Sequence, residues 1–177
     1  MTETTILGSG CFWCSEAVFQ QLRGVISVQS GYSGGHVENP SYEQVCGKDT
    51  GHIEVVKIEF DPAVIGFEDL LQIFFDTHDP TTPDRQGNDV GPQYASAIFW
   101  QTEEQKAIAE RVVKERQADF ADPIVTRLLP PATFWPAEAY HDDYFKLHPN
   151  QSYCAFVISP KVEKFRKHHA EKLQEQK

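Results

Sequence analysis

The stretch LGSGCFWCSEAVF, residues 7–19, sets Cys11 and Cys14 three positions apart, with Phe12 and Trp13 between them. Such a pair serves three chemistries: a redox dithiol, half of a metal site, or one catalytic thiol beside a second cysteine. Cys11 follows the small-residue turn Gly8-Ser9-Gly10 and opens a segment with helical spacing. A thiol placed there meets the free N–H groups and the positive dipole end of a helix, which favour the nucleophilic thiolate. Phe12 and Trp13 would wall an apolar pocket next to it. The sequence has no HExxH and no second CxxC to complete a zinc site, so no metal is expected.

Glu54 is the second group out of place. In GHIEVVKIEF, strand alternation puts Glu54 on one face with Val56, Ile58 and Phe60. A carboxyl among three apolar neighbours is desolvated, which raises its pKa and keeps it available as a proton donor. The phenols of Tyr32, Tyr42 and Tyr94 lie in or beside two long polar stretches, where each could donate a hydrogen bond.

The elements that must position these groups follow from periodicity. Thr4–Leu7 reads as a strand, Cys11–Leu22 as a helix with Phe12, Phe19 and Leu22 on one stripe, and Val25–Ser30 as a second strand. An irregular stretch over 31–51 leads to a strand at His52–Phe60, stopped by Asp61-Pro62, and to a helix at Phe67–Thr77. A polar loop at 79–93 precedes a strand at Tyr94–Gln101. Thr102 and Gln105 then form a capping box for a helix reaching about Asp119. The order β-α-β-β-α-β predicts an α+β fold, a ferredoxin-like sandwich with helices on one sheet face and an extra C-terminal segment. Long loops in compact domains carry function, so the site is expected at 31–51 and 79–93.

Composition bounds the rest. A chain of 177 residues with 40% hydrophobic content can bury a core as one domain without staples. The net charge of −10 leaves no basic face for a phosphate backbone, so no nucleic-acid partner is expected. No run approaches the roughly 18 apolar residues of a membrane span, and the N-terminus MTETTILGSG lacks signal-peptide features. Four cysteines without an export signal point to a reducing compartment, and a cytoplasmic location is expected.

Eight segments together resemble the peptide methionine sulfoxide reductases of the A type, which act on the S epimer. They are GCFWCSE (10–16), GYSGG (31–35), NPSYEQV (39–45), DTGHIEVV (49–56), FDP (60–62), HDPTTPDRQGNDVGPQY (78–94), AEAYHDDY (137–144) and SYCAFVISPK (152–161). The resemblance implies that Cys11 is the nucleophile that attacks the sulfoxide sulfur and Glu54 the acid that protonates its oxygen. It implies that Tyr42 and Tyr94 hydrogen-bond that oxygen, that Phe12 and Trp13 hold the S-methyl group, and that Asp89 shapes the site. The expected substrate is methionine sulfoxide, free or in oxidised proteins, with no metal or organic cofactor. The sulfenic acid left on Cys11 would condense with a second thiol to a disulfide that thioredoxin reduces.

The resolving thiol is where the chain departs from the family. Many members have Gly at the position of Cys14 and draw the second thiol from the C-terminus, where Cys154 matches the first such cysteine. The glycine-rich tail with a further cysteine is replaced by AFVISPKVEKFRKHH. Positional matching favours Cys154, which needs a mobile segment; Cys14, one helical turn from Cys11, needs little loop closure. Cys46 reads as a packing residue, and Ala95 stands where members commonly have Arg. Two other readings compete: a thioredoxin-like dithiol oxidoreductase resting on CFWC alone, and a non-catalytic module whose aromatic pocket clasps a thioether.

Overall fold

The computed structural model describes residues 2–141, 143–148 and 150–173. Its centre is a mixed sheet in which β1 (Glu3–Ser9), β2 (Val25–Ser33), β3 (Ile53–Phe60), β6 (Ser96–Phe99), β7 (Arg127–Leu129) and β8 (Trp135–Pro136) run in the order β7-β6-β1-β3-β2-β8. A small hairpin of β4 (Arg85–Gln86) and β5 (Asp89–Val90) lies apart from it. The pairs within β6-β1-β3-β2-β8 are antiparallel, and β6 with β7 is parallel. The helices are α1 (Phe12–Phe19), α2 (Tyr42–Cys46), α3 (Phe67–Asp76), α4 (Glu103–Arg116), α5 (Tyr144–Leu147) and α6 (Ser159–His168).

The strand alternation sorts residues as expected. Leu7, Val56, Ile58, Phe60 and Ile98 join Phe19 of α1, Leu70, Leu71 and Phe74 of α3, and Ala109 and Val112 of α4 in the main core. The opposite face buries Ile6, Ile53, Val55, Ala97 and Phe99 under Leu129 and Phe134. Ala95 is part of that second cluster, so this position faces packed side chains rather than solvent. Both faces of β3 are therefore shielded, which leaves Glu54 no route to water along the strand.

Several elements differ from expectation. Strand β2 runs on through Ser33, and the helix after Gly10 is α1, Phe12–Phe19, shorter than expected at both ends. Gly10 sits at φ +94, where a Cβ would fall 2.5 Å from the Gln86 side chain. The 31–51 stretch contains α2, held by a complete capping box: Gln44 N–H donates to Ser41 Oγ at 3.1 Å and Ser41 N–H to Gln44 Oε1 at 2.8 Å. The box expected at Thr102 is only half formed. Thr102 accepts from Gln105 N–H at 3.1 Å, but Gln105 Oε1 takes the Gln101 amide at 3.0 Å while its Nε2 donates to Thr4 O at 2.9 Å. That side chain has been recruited to fasten α4 to β1. Tyr94 ends a 3-10 turn, Pro92–Tyr94, ahead of β6 rather than inside it.

The C-terminal segment closes over α1. A π-helical turn, Cys154–Ile158, precedes α6, and Pro160 has no N–H to offer the Phe156 carbonyl behind it. Cys154, Ile158 and Val162 bury themselves against Cys14 and Ala17. Helix α1 consequently has both flanks covered and is nearly all buried. Among the described residues no helix is long and apolar enough to cross a membrane.

Candidate active site

Helix α1 starts at Cys11 without a side-chain cap, so its first amides lack the usual acceptor. Glu54 supplies one from across the sheet: the Phe12 N–H donates to its Oε1 at 3.2 Å. The other oxygen, Oε2, is buried and has no hydrogen-bond partner among the described residues. The side chain is 1% exposed. Ionising it there would cost several kcal/mol of lost hydration. Burial accordingly lifts the carboxyl to about 8, against the pull of the Phe12 amide and with help from Asp89. At neutral pH Glu54 is largely a neutral acid.

Around it the structure gathers the predicted phenols. Tyr42, at the start of α2, and Tyr94, at the end of its 3-10 turn, are half-buried. Burial first, then the nearby Glu54, pushes both well above the ordinary tyrosine range, so they stay protonated donors. Phe12 is buried, with its ring centroid 5.6 Å from Tyr32 and 6.3 Å from Tyr42. Trp13 stacks flat on Tyr144 at 3.8 Å, and its indole N–H donates to His141 Nδ1 at 3.0 Å. Those bonds fix the plane of the aromatic wall.

Cys11 overturns the helix-start argument for a ready thiolate. Its thiol is pushed well above the ordinary cysteine range by the packing around it, then by Cys14 and Glu54, against one lowering bond from the Trp13 amide. The Phe12 amide that might have served it goes to Glu54 instead. Cys14 moves the other way, to about 7, because Cys11 hydrogen-bonds to it and Lys161 and Tyr153 stabilise its charge.

Cys154 packs against Cys14 in the same small cluster and is fully buried. Burial first, and then Cys14, raise its pKa. Asp89 on β5 accepts a hydrogen bond from Tyr153, whose hydroxyl is also 4.0 Å from Cys14 Sγ. Cys46, expected to pack, is instead partly exposed at the end of α2, with its thiol bonded to the Tyr42 phenol.

Four side chains of the site carried no role in the sequence reading. Glu138 accepts from the Tyr32 hydroxyl at 3.3 Å and from the Tyr42 amide at 3.1 Å, tying β2 to α2. His141, Tyr144 and Tyr153 brace Trp13. Their signal lay in the density of aromatic and acidic residues in AEAYHDDY and SYC, but no spacing rule says that these late segments fold back over α1. Among the described residues no cluster of His, Cys, Asp and Glu could hold a metal ion.

Known proteins match this arrangement along nearly the whole chain. The family model for peptide methionine sulfoxide reductase matches residues 3–174. A peptide methionine sulfoxide reductase MsrA of Ralstonia nicotianae is 58% identical over 178 residues, 97% of this chain and 93% of that one. One from Thermus thermophilus is 58% identical over 93% of this chain and 94% of its own. Among solved structures, reduced Mxr1 from Saccharomyces cerevisiae is similar with a TM-score of 0.78 at 30% identity, covering 85% of this chain and 87% of that one. Methionine sulfoxide reductase A of Corynebacterium diphtheriae gives 0.77 at 33% identity, covering 85% and 76%. The chain belongs to the peptide methionine sulfoxide reductase family.

Proposed function

We propose that this enzyme reduces the S epimer of methionine sulfoxide, free and within proteins, to methionine, with thioredoxin restoring its thiols. The observation that carries the reading is Glu54, a buried, neutral carboxyl with one oxygen on the amide of Phe12, the residue next to Cys11, and the other without a partner among the described residues. A sulfoxide sulfur is a poor electrophile until its oxygen gains proton character. A neutral acid and two protonated phenols supply that without a metal.

In this reading Cys11 attacks the sulfoxide sulfur, Glu54 protonates the oxygen, and Tyr42 and Tyr94 hold it. Phe12 and Trp13 enclose the S-methyl group, and Asp89 lies at the far edge of the site. The oxygen passes to Cys11 as a sulfenic acid, methionine leaves, and the Cys11 proton restores Glu54. We take Cys14 as the resolving thiol in place of Cys154. Cys11 and Cys14 stand one helical turn apart and each acts on the protonation of the other, whereas Cys154 is held in a buried cluster on a separate element. Cys11 is the non-helical residue ahead of α1, with φ −56 and ψ 125, so closing the bridge asks little distortion of the helix proper.

The antiparallel order β6-β1-β3-β2 supports reading the centre as a ferredoxin-like β-α-β-β-α-β core, extended by β7, β8 and the C-terminal helices. The four free thiols accord with a cytoplasmic setting.

The test offers free and peptide-bound methionine sulfoxide of each epimer, with dithiothreitol and then with thioredoxin. Methionine is expected from the S epimer only, and Cys11→Ser abolishes it. No S-epimer reduction, or an unchanged rate in Cys11→Ser, overturns the reading.

A further inference from the structure

The cation-rich helix α6 and the π-helical turn ahead of it take no part in the chemistry above. In that turn Phe156 and Val157 are 82% and 42% exposed, an apolar patch open to solvent. We propose that this face is the docking surface for thioredoxin: Phe156 and Val157 anchor its apolar contact, and the cations of α6 form a rim that orients a partner edged with carboxylates. This rests on the reading above, that thioredoxin reduces the disulfide left on the enzyme after each turnover.

Position singles out this face. Phe156, Val157, Pro160 and Lys164 line one groove, and Cys11 and Cys14 lie along the same groove. The chain folds that way because Ile158, Val162 and Phe165 take the buried side of the turn and helix, which leaves Phe156, Pro160 and Lys164, four apart, on another. Cys14 is 3% exposed and Cys11 partly exposed, so a protein thiol reaches them by coming up this groove. Glu54, Tyr42 and Tyr94, the groups proposed to hold the sulfoxide oxygen, are not among the described residues that line it. The groove therefore serves the sulfur side of the site, where the reductant has to arrive.

Charge decides which partner fits. The chain carries a net −10, yet residues 159–172 hold Lys161, Lys164, Arg166, Lys167 and Lys172 against Glu163 and Glu171. Lys164 is exposed and makes no salt bridge among the described residues. The opposite wall of the groove carries Asp76 and Asp119, both already bonded to Arg116. A protein with carboxylates around its reactive thiol is repelled by most of this surface and drawn to α6, which steers the encounter and fixes which way round it docks. The exchange served there balances: the two thiols of thioredoxin become a disulfide as the Cys11–Cys14 bond becomes two thiols.

The experiment follows turnover of the full chain on saturating free S-methionine sulfoxide, with thioredoxin varied and kept reduced by its NADPH-dependent reductase, and in parallel with dithiothreitol. Phe156→Ala and Lys164→Glu alter exposed side chains and leave the core and the thiols in place. Phe156→Ala is expected to lower kcat/KM for thioredoxin about tenfold and Lys164→Glu about threefold. Rates on dithiothreitol and the methionine released in a single turnover should not change. Added salt should lower the wild-type kcat/KM for thioredoxin, less so in Lys164→Glu, and Lys164→Arg should behave as wild type. Unchanged thioredoxin kinetics in Phe156→Ala and Lys164→Glu would overturn the proposal. So would an equal loss on dithiothreitol, which marks damage to the thiols, or a loss confined to oxidised proteins as substrate, which marks a groove for the substrate chain. A change in sedimentation without a change in thioredoxin kinetics would mark a contact between copies and overturn it too. A wild type that turns over with dithiothreitol but never with thioredoxin would instead overturn the thioredoxin step of the proposed function.

Discussion

The two sides of Cys11 are built on different terms. The side proposed to handle oxygen rests on β3, a strand shielded on both faces, and on α2, whose start is fixed by a closed capping box. Its groups are large, buried or half-buried, and each is tied by a bond between a backbone amide and a carboxylate: Glu54 to the Phe12 amide, and Tyr42 through its own amide to Glu138. The side that handles sulfur rests on the first turn of α1 and on the C-terminal turns, joined through the small side chains of Cys14, Ala17 and Cys154 with Ile158 and Val162. Proton donation to a bound oxygen needs fixed geometry, because a donor displaced by an ångström loses its catalytic effect. Thiol exchange needs atoms to approach and part, and a layer of small side chains under a non-helical residue permits that.

The largest effect that should sharpen this contrast is on the rigid side. Glu54→Gln keeps the shape but cannot ionise or donate an acidic proton. It is expected to slow methionine formation in single turnover by about 10²–10³-fold while changing binding less. On the proposed role of Glu54 as a proton donor, pushed up to about 8, the advantage of wild type over this variant should shrink as pH rises through that value. Stability carries the opposite lesson. A carboxyl raised from 4.5 to about 8 by folding holds its proton more tightly in the native state. Wild type is therefore most favoured below about pH 4.5 and should lose about 1.4 kcal/mol per pH unit as pH rises from there toward 8. Chemical denaturation across that range should show the decline in wild type and its absence in Glu54→Gln. Equal slopes would mean that the carboxyl is not held neutral.

On the sulfur side the expected effects are on recycling. Cys14→Ser should still release one methionine per enzyme but form no disulfide, with turnover on thioredoxin falling at least about tenfold and dithiothreitol partly compensating. Cys154→Ser should recycle normally and lose about 1–2 kcal/mol of stability, since it places a hydroxyl in a fully buried apolar contact. Thiol counts after one turnover decide between them, and the reverse pattern would return the resolving role to Cys154. The smallest effect tests what holds Tyr42. Ser41→Ala removes the α2 cap and should cost about 1 kcal/mol in denaturation, with a modest loss of rate from a less ordered phenol.

What could be read in advance follows the range of the interactions. Period-two alternation alone put Glu54 on the core face with Val56, Ile58 and Phe60, because side-chain direction in a strand is a local property. Helix α2 was hidden in an apparently irregular stretch, although Ser41 and Gln44 spell its cap. Five residues are too few for periodicity to register. At Thr102 the opposite error arose: the local signal was present, but Gln105 found a better partner in β1.

The sequence by itself singled out two candidate groups, Cys11 through its motif and Glu54 by its place on an apolar face. Only the tertiary structure decided their protonation. That depends on which side chains exclude water and which amide is given to which acceptor, and residues distant in sequence take a large part in both. The Phe12 amide went to Glu54, Lys161 of α6 helped to lower Cys14, and Cys154 packed into one cluster with it. Such assignments are sums over long-range contacts, and no local pattern encodes them.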